Sequence, residues 1–257
     1  MLRLFAAVMA AAVLCTGSAS AEMKTQWIEY SHGDTKLKGY LAFDDKASGK
    51  RPAILMIHDR AGMQPYTLKH AETYAALGYV VFAADFFGYG QGILPKDVPE
   101  AQAQMGIYTK DRALLKARTQ AAYDVLTKNP MVDASKVAMI GYCFGGLVGV
   151  EFGSTGVPLV GNVAIHGSFF DHPAGWAQNA KGRFLILHGA EDAPFPLPKV
   201  EAEVINELRK AKVGFQLELY SGANHGFSVP KSKDEERANA QSIASTGRFL
   251  KEVFAQN

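Results

Sequence analysis

Gly141-Tyr142-Cys143-Phe144-Gly145-Gly146 sets one thiol among glycines, between an apolar run ending at Ile140 and another from about Phe144 to Phe152. Read as strand, turn and helix, this is a G-x-C-x-G form of the nucleophile elbow, whose tight turn needs small residues two positions either side of the nucleophile. The thiol would stand at a helix N-terminus, where the dipole favours a thiolate. The same residues also fit a glycine-rich turn around a buried, inert cysteine, the commoner fate of a free thiol. Two later segments weigh towards chemistry. Phe184 to Leu187 is a buried strand running out into His188-Gly189-Ala190-Glu191-Asp192, and Phe215 to Tyr220 is a strand followed by Ser221-Gly222-Ala223-Asn224-His225-Gly226-Phe227. The order nucleophile, acid, histidine fits a triad assembled along one edge of an open sheet. A thiol of ordinary pKa, about 8.5, is only a few per cent ionised at neutral pH, so an adjacent imidazole must take its proton. Asp192 would fix that imidazole's tautomer and stabilise its charged form.

Such a set needs a sheet to carry it, and hydrophobic periodicity supplies one. Trp27 to Tyr30 and Lys36 to Phe43 alternate around a turn at His32-Gly33-Asp34, which predicts an edge hairpin. Ala53 to Ile57, Tyr79 to Ala84 and Leu159 to Ile165 are short apolar runs, as strands buried on both faces must be, and Lys136 to Ile140 is a further strand. Thr67 to Leu77, Pro99 to Lys128, Leu197 to Ala211 and Asp234 to Phe254 have helical period, with room for two helices in the second stretch. Strands alternating with helices predict an α/β fold: a single domain with a mostly parallel central sheet and helices on both faces. Phe86 to Val98 is long for a strand-to-helix connection, which marks it as a candidate wall of a site.

The chain of 257 residues is 48% hydrophobic and carries 27 Lys+Arg against 25 Asp+Glu, which excludes intrinsic disorder and gives no basic footprint for nucleic acid. Residues 1–21 read as a signal peptide: Arg3, an apolar run from Leu4 to Cys15, and Ala19-Ser20-Ala21 as the cleavage site. That run is too short to span a bilayer. The expectation is a protein exported to the periplasm or secreted, whose remaining chain, 22–257, has no stable membrane insertion. Of the two Cys only Cys143 survives such cleavage, so no internal disulfide can form. The seven His show no metal-ligand spacing, Gly88-Tyr89-Gly90-Gln91-Gly92 lacks a dinucleotide fingerprint and no phosphate loop is present, so neither a metal nor a cofactor is expected. Arg112, Lys116 and Arg118 read as surface charges on a helix, and Lys231 to Arg237 as a solvated helix start. His58, His166 and His188 end strands and read as hydrogen-bonded structural residues at the edge of the site.

Three motifs, GYCFGG over 141–146, HGAEDAPFP over 188–196 and GANHGF over 222–227, spread in this order over the chain, resemble the dienelactone hydrolase family. The resemblance implies the α/β-hydrolase fold, with Cys143 as nucleophile, His225 as base, Asp192 as acid, and the backbone N–H groups of Arg60 and Phe144 as an oxyanion hole. It also sets Asp59 where the best-known members have Glu near the nucleophile, a side chain one methylene shorter. Dienelactone-specific members hold the substrate carboxylate with two arginines, and the corresponding stretches here, 85–90 and 225–229, contain none. The implied protein is an exported, cysteine-dependent hydrolase of small ester or lactone substrates, with a monomer favoured. Phe86, Tyr89 and Phe227 are its expected aromatic pocket residues. A general small-acyl carboxylesterase or thioesterase is the alternative within this class. A non-catalytic binding or thiol-redox protein on the same fold is the alternative outside it, and its activity would be indifferent to loss of His225.

Overall fold

Ala53 to Ile57, Val80 to Ala84 and Val137 to Tyr142 are buried at every residue, and strands without a polar face need cover on both sides. A computed structural model describes residues 22–256; the leader expected over 1–21 lies outside the described residues. Its strands are β1 (Met23–His32), β2 (Thr35–Asp44), β3 (Arg51–Ile57), β4 (Val80–Ala84), β5 (Val132–Tyr142), β6 (Gly161–Ile165), β7 (Arg183–Gly189) and β8 (Phe215–Tyr220). They form one sheet in the order β1-β2-β4-β3-β5-β6-β7-β8. The β1–β2 hairpin turns at Gly33, and β2 pairs antiparallel with β4; every other pairing is parallel.

The pleat sends alternate side chains to opposite faces. Ile54 and Met56 pack in one core with Tyr74 of α1 (Pro65–Ala75) and Phe249 and Leu250 of α7 (Lys233–Ala255). Leu55 and Ile57 pack in another with Tyr108 of α2 (Val98–Lys110), Leu115 and Leu126 of α3 (Arg112–Thr127) and Leu147 of α4 (Phe144–Gly153). A third cluster joins Ala164 and Ile186 to Val200 of α5 (Leu197–Val200) and Leu208 of α6 (Asn206–Lys210). The result is a single-domain α/β fold with helices on both faces of a mostly parallel sheet.

Several boundaries differ from the sequence expectation. The helix-rich stretch is two helices because the Asp111 side chain accepts the Leu114 N–H, starting α3 as α2 ends, with no Gly or Pro at the break. Strand β5 starts earlier than Lys136, since Val132 already pairs with Arg51 across a register shift. The helix expected over 197–211 contains a π-helical turn, Glu201–Ile205, between α5 and α6.

Arg118, Arg112 and Lys116 are not simply surface charges. Arg118 is 4% exposed. Its guanidinium donates to the Phe86 carbonyl (2.9 Å), the Tyr108 hydroxyl (3.1 Å) and Thr35 Oγ1 (3.0 Å), because α3 packs against the hairpin end of the sheet. Every residue of α4 is buried, including Glu151, and a buried carboxylate must be met by cations. Lys116 (3.2 Å) and Arg112 (3.9 Å) meet it, and His172 Nδ1 lies 3.0 Å from the same carboxylate. Burial alone would raise the Glu151 pKa, but these neighbours hold it below the ordinary carboxylate value.

Candidate active site

Strand β5 ends at Tyr142 and α4 begins at Phe144, so Cys143 alone makes the turn. Its φ of 51° with ψ of −109° is unusual for a residue with a side chain, and such a conformation persists only where the surroundings over-determine it. The Cys143 N–H donates to the Ile165 carbonyl (3.0 Å), and its carbonyl accepts from Gly146 and Ser168 (2.9 Å each). A Cβ on Gly141 would run into the Gly145 carbonyl, and one on Gly145 into the Ile57 carbonyl. The glycines are therefore required by close backbone approach.

Parallel strands put their following loops at one edge of a sheet. The loop after β7 is tied to the loop after β8 by Ala190 N–H to the Tyr220 carbonyl and Glu191 N–H to the Ala223 carbonyl, both 3.0 Å. Asp192, 2% exposed, accepts the Phe195 N–H on Oδ1 (3.0 Å) and pairs with His225 Nδ1 through Oδ2 (2.8 Å). The other ring nitrogen of His225, Nε2, lies 3.1 Å from Cys143 Sγ. The three residues singled out by sequence are thus brought together.

Burial opposes ionisation of the Cys143 thiol, yet the hydrogen bond and charge of His225, helped by the Ser168 hydroxyl at 3.4 Å, hold its pKa below the ordinary thiol value. Burial also disfavours a charged His225, but its bonds to Asp192 and to the thiol outweigh this and push it up to about 10. Both shifts favour a thiolate–imidazolium pair. Beside them, His166 packs edge-on against the His225 ring (centroids 5.3 Å apart) and holds Ser228 Oγ at 2.7 Å. Desolvation first, then the charge of His225, keeps the His166 pKa well below the usual value, so that ring stays neutral.

In the loop after β3, Asp59 Oδ1 accepts the Ala61 N–H and Oδ2 accepts the Tyr66 hydroxyl, both at 2.8 Å. Among the described residues no hydrogen bond joins Asp59 to Cys143; its negative charge acts on the thiol from a distance and raises its pKa. Phe144 is the first residue of α4, and neither its N–H nor that of Arg60 has a backbone acceptor among the described residues. Arg60 lines the cavity beside Cys143, whereas Phe144 is 0% exposed and is not among its walls.

A cavity of about 330 Å³ is lined by Cys143, His225, His166, Asp59, Arg60 and Tyr66, with Gln64, Val229, Lys96 and Lys231 among its further walls. The end of the long stretch 86–98, Pro95 to Val98, contributes to it as expected. The expected aromatic pocket residues do not. Phe86 and Phe227 are 0% exposed core residues, Phe86 against Phe144 and Tyr108 and Phe227 against His166 and Tyr220. Tyr89 stacks on Trp27 at 5.2 Å and lies outside the lining. No local motif marks Tyr66 or Gln64. Lys231, expected in a solvated helix start, instead lines the cavity from just before α7. Among the described residues no cluster of three or more His, Cys, Asp or Glu is arranged to hold a metal, and no helix is long and apolar enough to cross a membrane.

Residues 37–254 match the dienelactone hydrolase family. A carboxymethylenebutenolidase homolog of Rattus norvegicus is 25% identical over 215 residues, covering 83% of this chain and 85% of its own, and the homolog of Homo sapiens matches to the same extent. Among solved structures, a dienelactone hydrolase-like promiscuous phosphotriesterase from metagenomic libraries superposes with a TM-score of 0.83 at 31% identity, covering 90% of this chain and 98% of its own. The dienelactone hydrolase of Anabaena variabilis shares the fold with a TM-score of 0.67 at 21% identity, covering 90% and 98%.

Proposed function

This chain belongs to the dienelactone hydrolase family, and from that membership we propose that it hydrolyses small esters or lactones through an acyl-cysteine intermediate. The observation that carries the reading is the linear arrangement Cys143 Sγ, His225 Nε2 (3.1 Å), His225 Nδ1, Asp192 Oδ2 (2.8 Å), with the thiol on a strained one-residue turn. Thiolate Sγ attacks the carbonyl carbon, and the oxygen, now an anion, takes hydrogen bonds from the N–H groups of Arg60 and Phe144. As the tetrahedral centre collapses, His225 gives its proton to the departing alkoxide and the acyl group stays on Cys143. Neutral His225 then takes a proton from water, the resulting hydroxide attacks the thioester, and the thiolate leaves as the carboxylic acid forms. Asp192 holds Nδ1–H throughout and offsets the imidazolium charge.

The substrate need not carry a carboxylate. The two stretches where dienelactone-specific members place their arginines have none, and a carboxylate without a charge-assisted partner there loses much of its binding. Aryl and alkyl esters of short acids are the substrates to test first. The test is the initial rate of p-nitrophenyl acetate hydrolysis before and after stoichiometric iodoacetamide treatment, with the label located by mass spectrometry. Hydrolysis should vanish in proportion to alkylation of Cys143; hydrolysis that persists with Cys143 fully alkylated sinks the reading.

A further inference from the structure

His58 directly follows β3 at the root of the loop that carries Arg60, is 1% exposed, and uses both ring nitrogens. Its Nδ1 lies 2.6 Å from the Asp59 carbonyl oxygen, and its Nε2 lies 3.2 Å from the Phe86 amide nitrogen. A carbonyl only accepts and an amide N–H only donates, so the geometry assigns the proton to Nδ1 and the lone pair to Nε2. The partner on the Nε2 side is itself fixed. Asp85 accepts the N–H groups of Phe87, Gly88, Gly90 and Lys38 at 2.9 to 3.1 Å, and the Phe86 carbonyl takes the Tyr108 hydroxyl (2.8 Å) and the Arg118 guanidinium (2.9 Å). The imidazole therefore rests against a backbone held by six hydrogen bonds to Asp85 and the Phe86 carbonyl.

A trans peptide is a rigid plane with its C=O and N–H on opposite sides. Drawing the Asp59 carbonyl towards the buried His58 turns the N–H of the same peptide, that of Arg60, the other way. The turn's own bond to this carbonyl, from Gly62 N–H, is longer at 3.2 Å, so His58 is the firmer of the two anchors. Asp59 and Arg60 line the cavity beside Cys143, whereas His58 does not. We propose that His58 is a positioning residue, setting the Asp59–Arg60 peptide plane so that the Arg60 N–H meets the oxyanion. This rests on the acyl-cysteine reading, and the experiment is chosen so that the two can fail separately.

The protein and its variants His58→Leu and His58→Asn are compared in two reactions of the same thiol. Asn keeps an N–H near the place of Nδ1, while Leu keeps neither hydrogen bond. Acylation by p-nitrophenyl acetate, followed as the first-turnover release of nitrophenol, forms an oxyanion. Alkylation by iodoacetamide displaces iodide at a methylene carbon and forms none. His58→Leu should slow acylation by about 10- to 100-fold, a fraction of what deleting an oxyanion donor outright costs. It should leave the alkylation rate unchanged, along with the substrate dissociation constant read from the concentration dependence of the first-turnover rate, and His58→Asn should recover most of the loss. Acylation at the wild-type rate in His58→Leu, or equal loss in both reactions, overturns the assignment. Absence of any acetyl group on Cys143 in the wild-type protein overturns the underlying reading and the assignment with it.

Discussion

The pairing of Cys143 with His225 sets the pH range in which the site can work. Thiolate accumulates as pH rises through a Cys143 pKa held below the ordinary thiol value, and the proton needed by the leaving group is lost as pH rises through about 10 at His225. The profile of kcat/KM should therefore be a bell, with its acid limb below that of a free thiol and its alkaline limb near pH 10. Asp59 pushes the thiol up, so Asp59→Asn should move the acid limb, and the pH dependence of alkylation, to lower pH. His225→Ala should do the reverse, since burial would then act on the thiol without its partner, and should cut kcat/KM by about 10²–10⁴-fold. A limb that stays in place in both variants would contradict the electrostatic account. The hydrogen-bonded set of Cys143, His225 and Asp192 was legible in the sequence because each follows a strand within its own local pattern of small or polar residues. Tyr66, which holds Asp59 from the start of α1, carries no such mark.

At the scale of elements, the elbow is a crossing of three backbones, those of β5, α4 and the end of β3. A Cβ on Gly145 would meet the carbonyls of Ile57 and His58, which are backbone and cannot swing aside. Gly145→Ala should destabilise the protein by about 1–3 kcal/mol, as overpacking does, read from the urea midpoint at constant slope. A wild-type midpoint would show that β3 has room to move. The order of strands and helices was legible from periodicity, because buried strands are short apolar runs and α1, α3 and α7 show an apolar stripe. What covers the opposite stripe was not. Arg118 and Lys116 look like solvated charges in sequence, yet they point to different sides of α3, the one to a hairpin and the other to a buried carboxylate. Aromatic residue type was equally uninformative: Phe86 and Phe227 fit a pocket wall or a core, and packing chose the core.

Over the whole molecule, the loops after β3, β5, β7 and β8 share one edge of the sheet because those strands run parallel, and that arrangement assembles a site from residues 59 to 225. The cavity walls come from pieces this far apart in the chain, which is why Gln64, Lys96 and Lys231 could not be read in advance. The leader is the other whole-chain question. We propose that residues 1–21 are removed on export. Glu22 is held as β1 begins: its amide lies against Asp44 Oδ1 (3.2 Å) and its carbonyl accepts the Asp45 N–H (3.0 Å). Protein recovered from an exporting bacterial host should have Glu22 as its N-terminus by intact mass, and a retained leader would contradict export by cleavage. Hydrolysis by this route requires Cys143 to carry the acyl group. The most direct measurement is rapid acid quenching of the enzyme during turnover of p-nitrophenyl acetate, followed by peptide mapping. An acetyl group on Cys143 that disappears once substrate is exhausted is the predicted result. Turnover without acetyl on Cys143, or with acetyl on another residue such as Ser168, would contradict it.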